Sequence, residues 1–394
     1  MTVSSAPSPA AGASILWHYS VLNLGGAELA TLRLLEGLAD RGLAPLLALN
    51  LPGGAAEDRV SGSVALAHLR PHAVPRPPAT LEAHSLAGAA RYASARLRQY
   101  AREWRFSRGE GFSAAVVGLQ GLSPAFVCRR VRAARRLHFI RSDLRACDPT
   151  GRIHRTIARY APRTDAYVCV SDAARASLVK LHPSVAEKAH TIPNLLGAAE
   201  MKRKADAPDP FPPRGGKRRV LTVARLWEPA KALGRMARVQ AQLLRGGVDF
   251  DWFIVGDGPD RKMLEDEIAR LGLSGRMHLL GAQANPYPYY AHADLVAVLS
   301  HYEGLCGAIN EAKVLGRPVI ATDVGAVREQ LGGDGDGGLI VASEERAIAE
   351  GLAQLLANKA QCAAMAAVPL PSVLLDDEAK LDKLMALMAV QGAL

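Results

Sequence analysis

Short apolar runs alternate with helical patterns along most of this chain, and this alternation restricts the fold more than any single motif does. Residues 295–299 read LVAVL, an unbroken apolar run of strand length, and residues 307–315 follow with apolar side chains at helical spacing. Strands that alternate with helices form parallel sheets joined by crossover helices. The pattern therefore predicts an α/β protein with two doubly wound parallel sheets. The other predicted strands are 15–20, 45–50, 64–69, 114–119, 137–140, 166–171 and 190–193 in the first set, and 220–225, 251–256, 278–281, 318–322 and 338–341 in the second.

The length and one polar segment predict the domain organisation. A chain of 394 residues exceeds what one hydrophobic core usually supports, so two domains are expected. Residues 201–219 (MKRKADAPDPFPPRGGKRR) are rich in Pro, Gly and charge, which is typical of a linker. We therefore predict an N-terminal domain over 13–200, a C-terminal domain over 220–374 and a terminal helix over 375–394. Residues 1–12 are rich in Ala, Ser and Pro, which predicts disorder.

Targeting signals and cysteine usage favour a protein of the cytoplasm. The N-terminal segment lacks the basic and apolar regions of a signal peptide, and no run approaches eighteen apolar residues. The five cysteines show neither metal-binding nor disulfide spacing, so reduced thiols are expected. Cys306 lies in a predicted functional loop, where it is either reactive or a neutral packing residue.

Two glutamates separated by seven residues mark that loop. In the segment 300–325 (SHYEGLCGAINEAKVLGRPVIATDVG), Glu303 lies in a strand-to-helix turn and Glu311 lies one turn into the following helix. The helix N-terminus offers unpaired N–H groups and the positive end of a dipole, which suit a diphosphate. A carboxylate only accepts hydrogen bonds, so the glutamates fit the hydroxyl groups of a nucleotide sugar. The alternative is a capped helix with two exposed glutamates.

Two cations lie beyond another predicted strand. Arg225 ends the run LTVARL, and Lys231 begins the next helical pattern. Two cations converging on one site would neutralise a diphosphate and the charge that develops on a leaving nucleotide. The alternative is a pair of ordinary surface cations.

Taken together in this order, the segments LTVARL, FIVGDGP (253–259), HLLGAQANPYPYYAHAD (278–294) and the two-glutamate loop resemble family 4 of the retaining GT-B glycosyltransferases. The sequence GGAE at 25–28 is similar to the first glycine loop of that family. The resemblance extends over residues 14–360 and is specific over 221–341. It implies the GT-B fold, in which an N-terminal acceptor-binding domain and a C-terminal nucleotide-sugar-binding domain, both Rossmann-like, face a central cleft. It also implies that a terminal helix, here 375–394, can return to the N-terminal domain.

The resemblance also implies roles for individual residues. Arg225 and Lys231 would hold the diphosphate, Glu303 would contact the donor sugar, and Glu311 would hold the ribose. The catalytic residues are thus predicted to be Glu303, Arg225 and Lys231. Family members transfer the sugar with retention and need no metal or other cofactor. The remaining predicted nucleotide-sugar contacts are Gly304, Leu305, Cys306, Gly307, Gly256, Gly258, Gly25 and Gly26.

Several positions depart from the family pattern. Lys231 lies six residues after Arg225 rather than five, and Ala232 follows it where a glycine is usual. Where family members carry a cleft histidine, this chain reads HFIRSD at 138–143. The predicted acceptor-side residues are therefore His138, Arg141 and Asp143, with no general base assigned.

Two of the glycine motifs have alternative interpretations. Gly256 and Gly258 either approach the nucleotide or only tighten a strand-to-helix connection, and Arg261 stands where the third glycine of a nicotinamide-cofactor fingerprint would fall. Gly25 and Gly26 permit close approach of phosphate or sugar, or form a tight turn.

Positive charge is concentrated in the first half of the chain. Residues 91–163 contain seventeen arginines, no lysine and four acidic residues, for a net charge of +13 within an overall +10. Such a face can attract anionic lipid headgroups or a pyrophosphate-linked acceptor. No nucleic-acid-binding module accompanies the arginines, so no nucleic-acid partner is predicted. The alternative to a membrane contact is a general preference for arginine.

The sequence therefore favours a glycosyltransferase that uses a nucleotide-sugar donor. The acceptor would be a saccharide or lipid-linked molecule, in surface polysaccharide or glycolipid synthesis at the inner face of the cell membrane. One alternative is a nucleotide-sugar epimerase or sugar phosphorylase on the same fold. A second is a non-catalytic GT-B scaffold or partner subunit.

Overall fold

The computed structural model describes residues 13–23, 25–69, seven positions between 93 and 104, and residues 111–213, 215–333 and 335–390. The segment 1–12, for which disorder was predicted, lies outside the described residues, as do the last four residues of the predicted terminal helix.

The first sheet is parallel throughout and has seven strands in the order β3-β2-β1-β4-β5-β6-β7. Its centre is apolar because Ile15, Leu16 and Trp17 are fully buried. Each of the seven predicted strands is present. The strands are β1 (Ser14–Tyr19), β2 (Ala44–Leu49), β3 (Ala65–His68), β4 (Phe112–Val117), β5 (Ala133–Ile140), β6 (Ala166–Cys169) and β7 (Ala189–Thr191).

The second sheet is also parallel and has six strands in the order β10-β9-β8-β11-β12-β13. Apolar clusters lie on both of its faces, which explains the unbroken apolar runs in the sequence. The six predicted strands are all present. They are β8 (Arg218–Val223), β9 (Phe250–Val255), β10 (Met277–Gly281), β11 (Leu295–Val298), β12 (Val319–Thr322) and β13 (Leu339–Val341).

Helices connect successive strands as expected for doubly wound sheets. Helix α1 is Gly26–Asp40, and Gly42, just beyond the C-cap Arg41, has a φ of +80°. The other helices from α2 to α8 are Ala125–Arg130, Leu144–Cys147, Arg152–Tyr160, Asp172–Leu181, Ala198–Ala205, Glu228–Lys231 and Leu233–Arg245. Helices α9 to α16 are Arg261–Arg270, Tyr287–His292, Gly307–Val314, Val327–Leu331, Glu345–Ala357, Lys359–Ala367, Ser372–Leu375 and Asp377–Met388.

The chain forms two compact units. The first contains residues up to Val170, Arg175–Asn194 and the segment from Glu378 onward, so most of α16 belongs to it. Within this unit, Arg41 at the end of α1 forms ion pairs with Glu378 and Asp382 of α16. The second unit contains Ser171–Ala174 and Leu195–Asp377.

The prediction of a linker over residues 201–219 was wrong. The chain changes units after Asn194, and residues 201–219 belong to the second unit. Met201 of α6 is buried with Leu196, Leu370 and Leu374, so the start of this segment packs in a small apolar cluster. Its end forms the first residues of β8. The charged residues that suggested a linker lie mostly on the outside of these elements, because Lys202, Arg203 and Lys204 are exposed.

Candidate active site

The second sheet reverses its strand order between β8 and β11, and the predicted loops of this unit meet there. β8 pairs directly with β11, so the loops that leave the carboxyl ends of these strands are neighbours. Open α/β sheets bind ligands at such a point, which is called the β8–β11 crossover below. One loop carries Arg225 and Lys231, and the other carries Glu303 to Gly307. The strand order therefore brings together segments about seventy residues apart.

Lys231 and Glu303 form an ion pair at this position. The Nζ atom of Lys231 lies 2.5 Å from Oε1 of Glu303, and the side chains are 21% and 12% exposed. The Ser300 hydroxyl donates to the same carboxylate oxygen at 2.6 Å. Both charges are therefore largely removed from water but compensated.

This pairing affects the titration of the groups around it. Burial alone would lower the pKa of Lys231, but the adjacent Glu303 carboxylate offsets it and the pKa remains above the ordinary value. The Cys306 thiol is buried, and burial together with the Glu303 charge raises its pKa to about 12. Cys306 is thus a neutral packing residue at physiological pH rather than a reactive thiolate.

Arg225 lies on the same loop but has a different environment. Its side chain is exposed, and it forms no hydrogen bond or ion pair with any of the residues that the structure describes. The site thus combines one cation already held by a carboxylate with one cation open to solvent.

The unusual residue after Lys231 has a conformational explanation. Ala232 adopts a left-handed conformation, with φ of +51° and ψ of +47°, and separates α7 from α8. This region favours glycine, the residue usual at this position in the family that the chain resembles. The backbone geometry is therefore formed despite the alanine.

The loop from Glu303 to Gly307 is held by a buried glutamine that sequence reasoning missed. The Gln330 side chain accepts from the Cys306 N–H at 3.0 Å and donates to the Cys306 carbonyl at 2.7 Å. It also donates to Asn310 at 2.6 Å. The Cys306 N–H is therefore already used and is not available for the predicted contact with the nucleotide sugar. The N–H groups of Leu305 and Gly307 have no hydrogen bond within the described part of the chain.

Backbone packing supports this loop from its other side. Gly304 is buried, and a Cβ atom added to Gly325 would lie 2.3 Å from the Glu303 carbonyl oxygen. Gly325 also has a φ of +54°. A glycine is needed at 325 for both reasons, because any side chain would push the Glu303 backbone away.

Glu311 is oriented by a second residue that the sequence analysis did not identify. The Tyr290 hydroxyl donates to Oε2 of Glu311 at 2.7 Å, and Tyr290 is fully buried. Burial, reinforced by the Glu311 charge, raises the pKa of Tyr290. The phenol therefore stays protonated and directs one carboxylate oxygen of Glu311.

Gly256 and Gly258 pack against the β8 loop. An added Cβ atom would lie 1.9 Å from the Ala224 carbonyl oxygen at Gly256 and 2.3 Å from that of Leu226 at Gly258. Close packing between neighbouring loops, one of the two alternatives given above, is therefore sufficient to explain a glycine at both positions.

In the first unit, the glycine loop begins α1. Gly25 is the N-cap of the helix, and Gly26 is its first residue. A Cβ atom added to Gly26 would meet no described atom within 4 Å, so packing within the unit does not require this glycine.

The predicted acceptor-side residues of the first unit hold the structure together. His138 is buried with a ring nitrogen 3.1 Å from the Leu119 carbonyl oxygen, and burial lowers its pKa to about 4. Arg141 is buried and donates to Gly118, Asn194 and Thr31 at 2.8–3.0 Å. Neither side chain is open to a ligand, so the prediction that His138 and Arg141 contact the acceptor is wrong.

Asp143 has a local structural role as the N-cap of α3. It accepts from the Arg145 N–H at 2.9 Å and from the Ser177 hydroxyl at 2.6 Å, and its other oxygen pairs with the Arg145 guanidinium. Burial tends to raise its pKa, but hydrogen bonds from Arg145 and Ser177 prevail and lower it.

A cavity of about 250 Å³, lined by polar and apolar groups in similar measure, lies in the same unit. The loops after β4 and β5 form it, at the carboxyl edge of the first sheet. Its polar lining includes Gln120, Ser123, Asp148, Thr150 and Thr156. Sequence reasoning did not identify this cavity, because its residues are separated along the chain and none belongs to a recognisable motif.

The described part of the chain contains no helix that is both long and apolar enough to cross a bilayer. It also contains no group of three or more His, Cys, Asp or Glu side chains arranged to hold a metal ion.

The fold and the site at the β8–β11 crossover define a GT-B protein of the glycosyltransferase type. The structure of Anabaena HepE in complex with UDP and glucose superimposes with a TM-score of 0.69 at 18% identity, covering 96% of this chain and 99% of that one. Family models described as Glycosyltransferase Family 4 and as Glycosyl transferases group 1 match residues 24–196 and 217–358. The chain belongs to the family 4, or group 1, glycosyltransferases.

Curated relatives match shorter segments. The lipopolysaccharide core biosynthesis mannosyltransferase LpsB of Rhizobium meliloti is 33% identical over 106 residues, which are 26% of this chain and 30% of LpsB. The alpha-D-kanosaminyltransferase of Streptomyces kanamyceticus is 33% identical over 124 residues, or 31% of this chain and 32% of that protein. The matched segments thus span about a third of the length of these relatives.

Proposed function

We propose that this protein is a retaining glycosyltransferase that uses a nucleoside-diphosphate sugar as donor. The observation that carries the proposal is the cluster of Arg225, Lys231 and Glu303 at the β8–β11 crossover. An exposed arginine there lies on the same loop as a lysine that a carboxylate holds in place. Family membership and the UDP and glucose bound to the HepE structure agree with this chemistry.

The two cations have complementary tasks in this proposal. Arg225 is open to solvent and can bind the diphosphate through its planar set of donors. Lys231 is already desolvated, so it can stabilise the negative charge that develops on the leaving phosphate. The N–H groups of Leu305 and Gly307 at the start of α11 add two neutral donors beside them.

The two glutamates would select hydroxyl groups. Glu311 has one oxygen fixed by Tyr290, and its carboxylate accepts from the ribose in the proposed complex. Glu303 has one oxygen engaged by Lys231 and Ser300, so its second oxygen is directed to a hydroxyl of the donor sugar.

The proposed reaction forms a bond from the acceptor oxygen to the anomeric carbon while the bond from that carbon to the diphosphate oxygen breaks. Attack occurs on the face from which the diphosphate leaves, so the configuration is retained. The acceptor proton passes to the departing phosphate. The cations stabilise the diphosphate that is released, and we propose that no metal is required. Activity that persists in EDTA and is not raised by Mg²⁺ or Mn²⁺ supports this last point.

Nucleotide binding is the first test. Thermal unfolding would be measured with UDP, GDP, ADP, CMP and the matching nucleotide sugars, because a ligand that binds only the folded state raises the melting temperature. We expect stabilisation by one nucleotide and its loss in Arg225→Ala. Arg245→Ala is a matched control, since Arg245 is also exposed but lies at the far end of α8, about 18 Å along the helix from Leu233.

The outcomes separate the candidate functions. Stabilisation by one nucleotide that only Arg225→Ala removes supports the donor site. No stabilisation by any nucleotide contradicts the enzyme and favours a non-catalytic scaffold. Interconversion of the nucleotide sugar without an acceptor would identify an epimerase, and release of a sugar phosphate would identify a phosphorylase. The anomeric configuration of an isolated product, read by NMR, tests retention.

The acceptor is proposed to be a saccharide or lipid-linked sugar that binds the first unit. The cavity at the carboxyl edge of its sheet supports this, because hydroxyl, amide and carboxylate groups beside apolar ones match the hydroxyls and C–H groups of a sugar. We further propose that the product is a surface polysaccharide or glycolipid. Incubation with the donor and a panel of glycosides and lipid-linked sugars, read by mass spectrometry, tests both proposals.

We also propose contact with the inner, anionic face of the cell membrane. Arg152, Arg155 and Arg159 are exposed along α4, within the strongly basic part of the sequence. Binding to phosphatidylglycerol vesicles, but not to phosphatidylcholine vesicles, is expected in a sedimentation assay. It should fall when all three arginines become Gln, whereas equal binding to both kinds of vesicle would contradict the proposal.

A further inference from the structure

Two aromatic residues lie on the segments that carry the ion pair of the second unit and have no role in the functions described above. Trp227 is 41% exposed, although burial of an indole ring is strongly favourable. Among the Phe, Tyr and Trp residues that the structure describes in this unit, Trp227 is the only exposed one, and Trp252 is by contrast fully buried.

Tyr302 holds Trp227 in a defined arrangement. The ring centroids are 6.4 Å apart and the planes are nearly perpendicular, at 89°. This is the edge-to-face geometry that aromatic pairs prefer. The two residues come from the loops after β8 and β11, so the pair joins both sides of the crossover.

The backbone segments that carry the two rings also carry the charged groups of the site. The Trp227 carbonyl accepts the Lys231 N–H at 3.0 Å, and Trp227 is only two residues from Arg225. Tyr302 directly precedes Glu303. The aromatic pair is therefore carried by the same two segments as the ion pair, and Tyr302 lies close enough to Lys231 to act on its charge.

This combination matches a pyranose ring. A pyranose has apolar faces of C–H groups and a rim of hydroxyls, whereas a diphosphate has no apolar face. Glu303 can accept from a hydroxyl while an indole covers adjacent C–H groups, so the two requirements are met side by side.

We propose that Trp227, supported by Tyr302, forms the surface on which the sugar ring of the donor stacks. This inference rests on the proposed function. It adds a residue that recognises the transferred sugar rather than the nucleotide, and it predicts that Trp227 contributes to the choice of sugar.

The test compares two ligands on the same variants. Dissociation constants would be measured by calorimetry for the nucleoside diphosphate that stabilises the wild-type protein and for its nucleotide sugar. Trp227→Ala should weaken binding of the nucleotide sugar about tenfold. The reason is that the sugar ring would cover about half of the exposed indole area in the proposed complex, and this apolar contact would be lost. Binding of the nucleoside diphosphate should change less than twofold.

Three variants complete the comparison. Trp227→Phe keeps a flat ring and should retain nucleotide-sugar binding to within about threefold, whereas Tyr302→Ala should resemble Trp227→Ala. Met263→Ala is the matched control, because Met263 is 38% exposed on α9 of the same unit and should leave both constants unchanged.

Each alternative result is informative. Equal weakening of both ligands would place Trp227 against the base or diphosphate and overturn the inference. No change in either constant would also overturn it. If Trp227→Ala does not fold, the wild-type tryptophan fluorescence decides: a response to the nucleotide sugar but not to the diphosphate, absent in Trp227→Phe, is expected. A wild-type protein that binds no nucleotide would instead contradict the proposed function itself.

Discussion

Lys231→Met is expected to destabilise the second unit by about 3 kcal/mol. The Lys231 Nζ and Glu303 Oε1 atoms are 2.5 Å apart, and both side chains are largely buried. At an effective dielectric constant of about 20, their gross attraction is about 7 kcal/mol, which offsets the cost of removing both charges from water. Loss of one partner from a buried pair typically costs about 3–5 kcal/mol. The lower end applies because Glu303 keeps its Ser300 hydrogen bond and is 12% exposed.

A double-mutant cycle measures this directly. Urea unfolding would be followed for the wild type, Lys231→Met, Glu303→Gln and the double variant. The two changes should be strongly non-additive, with a coupling energy of about 2 kcal/mol or more, because the double variant leaves no unpaired charge. The slope of unfolding free energy against urea should be unchanged, since the folded state is the same.

The exposed pair of Arg238 and Glu345 is a matched control. Its atoms are 2.7 Å apart, but the side chains are 45% and 41% exposed. The same cycle there should give a coupling energy of at most about 1 kcal/mol. If Lys231 and Glu303 also prove additive to within about 0.5 kcal/mol, the reasoning from burial and pairing is refuted.

Three further predictions concern single residues. Tyr290→Phe should weaken nucleotide binding about three- to tenfold by releasing Glu311, with a stability cost near 1 kcal/mol; an equal effect of Tyr287→Phe on calorimetric binding would contradict this. His138 has its pKa lowered to about 4, so the unfolded chain binds more protons between that pH and about 6.5. The unfolding free energy of the wild type should therefore fall by up to about 3 kcal/mol relative to that of His138→Gln as the pH falls through this window. A difference in unfolding free energy that does not change with pH would contradict the lowered pKa of His138. Ala232→Val should lower the unfolding free energy, measured with a chemical denaturant, by about 2 kcal/mol or more because of the left-handed backbone. Ala232→Gly should leave it within about 1 kcal/mol of the wild type. Equal effects of the two substitutions would argue against the left-handed conformation of residue 232.

Periodicity predicted the strands well because their apolar runs reflect burial. All thirteen predicted strands are present, most displaced by one or two residues. The largest error is the start of β5, which begins at Ala133 rather than at residue 137. Arg135 and Arg136 occupy this part of the strand, and its first four residues are exposed or only partly buried, so no apolar run marks them.

The linker error has a related cause. Proline, glycine and charge in residues 201–219 indicate surface exposure, which a linker and the outer face of a domain share. Composition alone could not separate these cases. The buried contacts of Met201 with Leu370 and Leu374, far along the chain, assign the start of this segment to the second unit.

For the site, the sequence by itself determined which residues occupy the turns after β8 and β11, because local spacing defines a turn and the polar residues within it. Only the tertiary structure decided that these strands are neighbours and that Lys231 pairs with Glu303. It also decided that the Cys306 N–H donates a hydrogen bond to Gln330 and that His138 and Arg141 are buried. These facts depend on contacts between distant segments, which free energies of burial and hydrogen bonding select and local patterns do not encode.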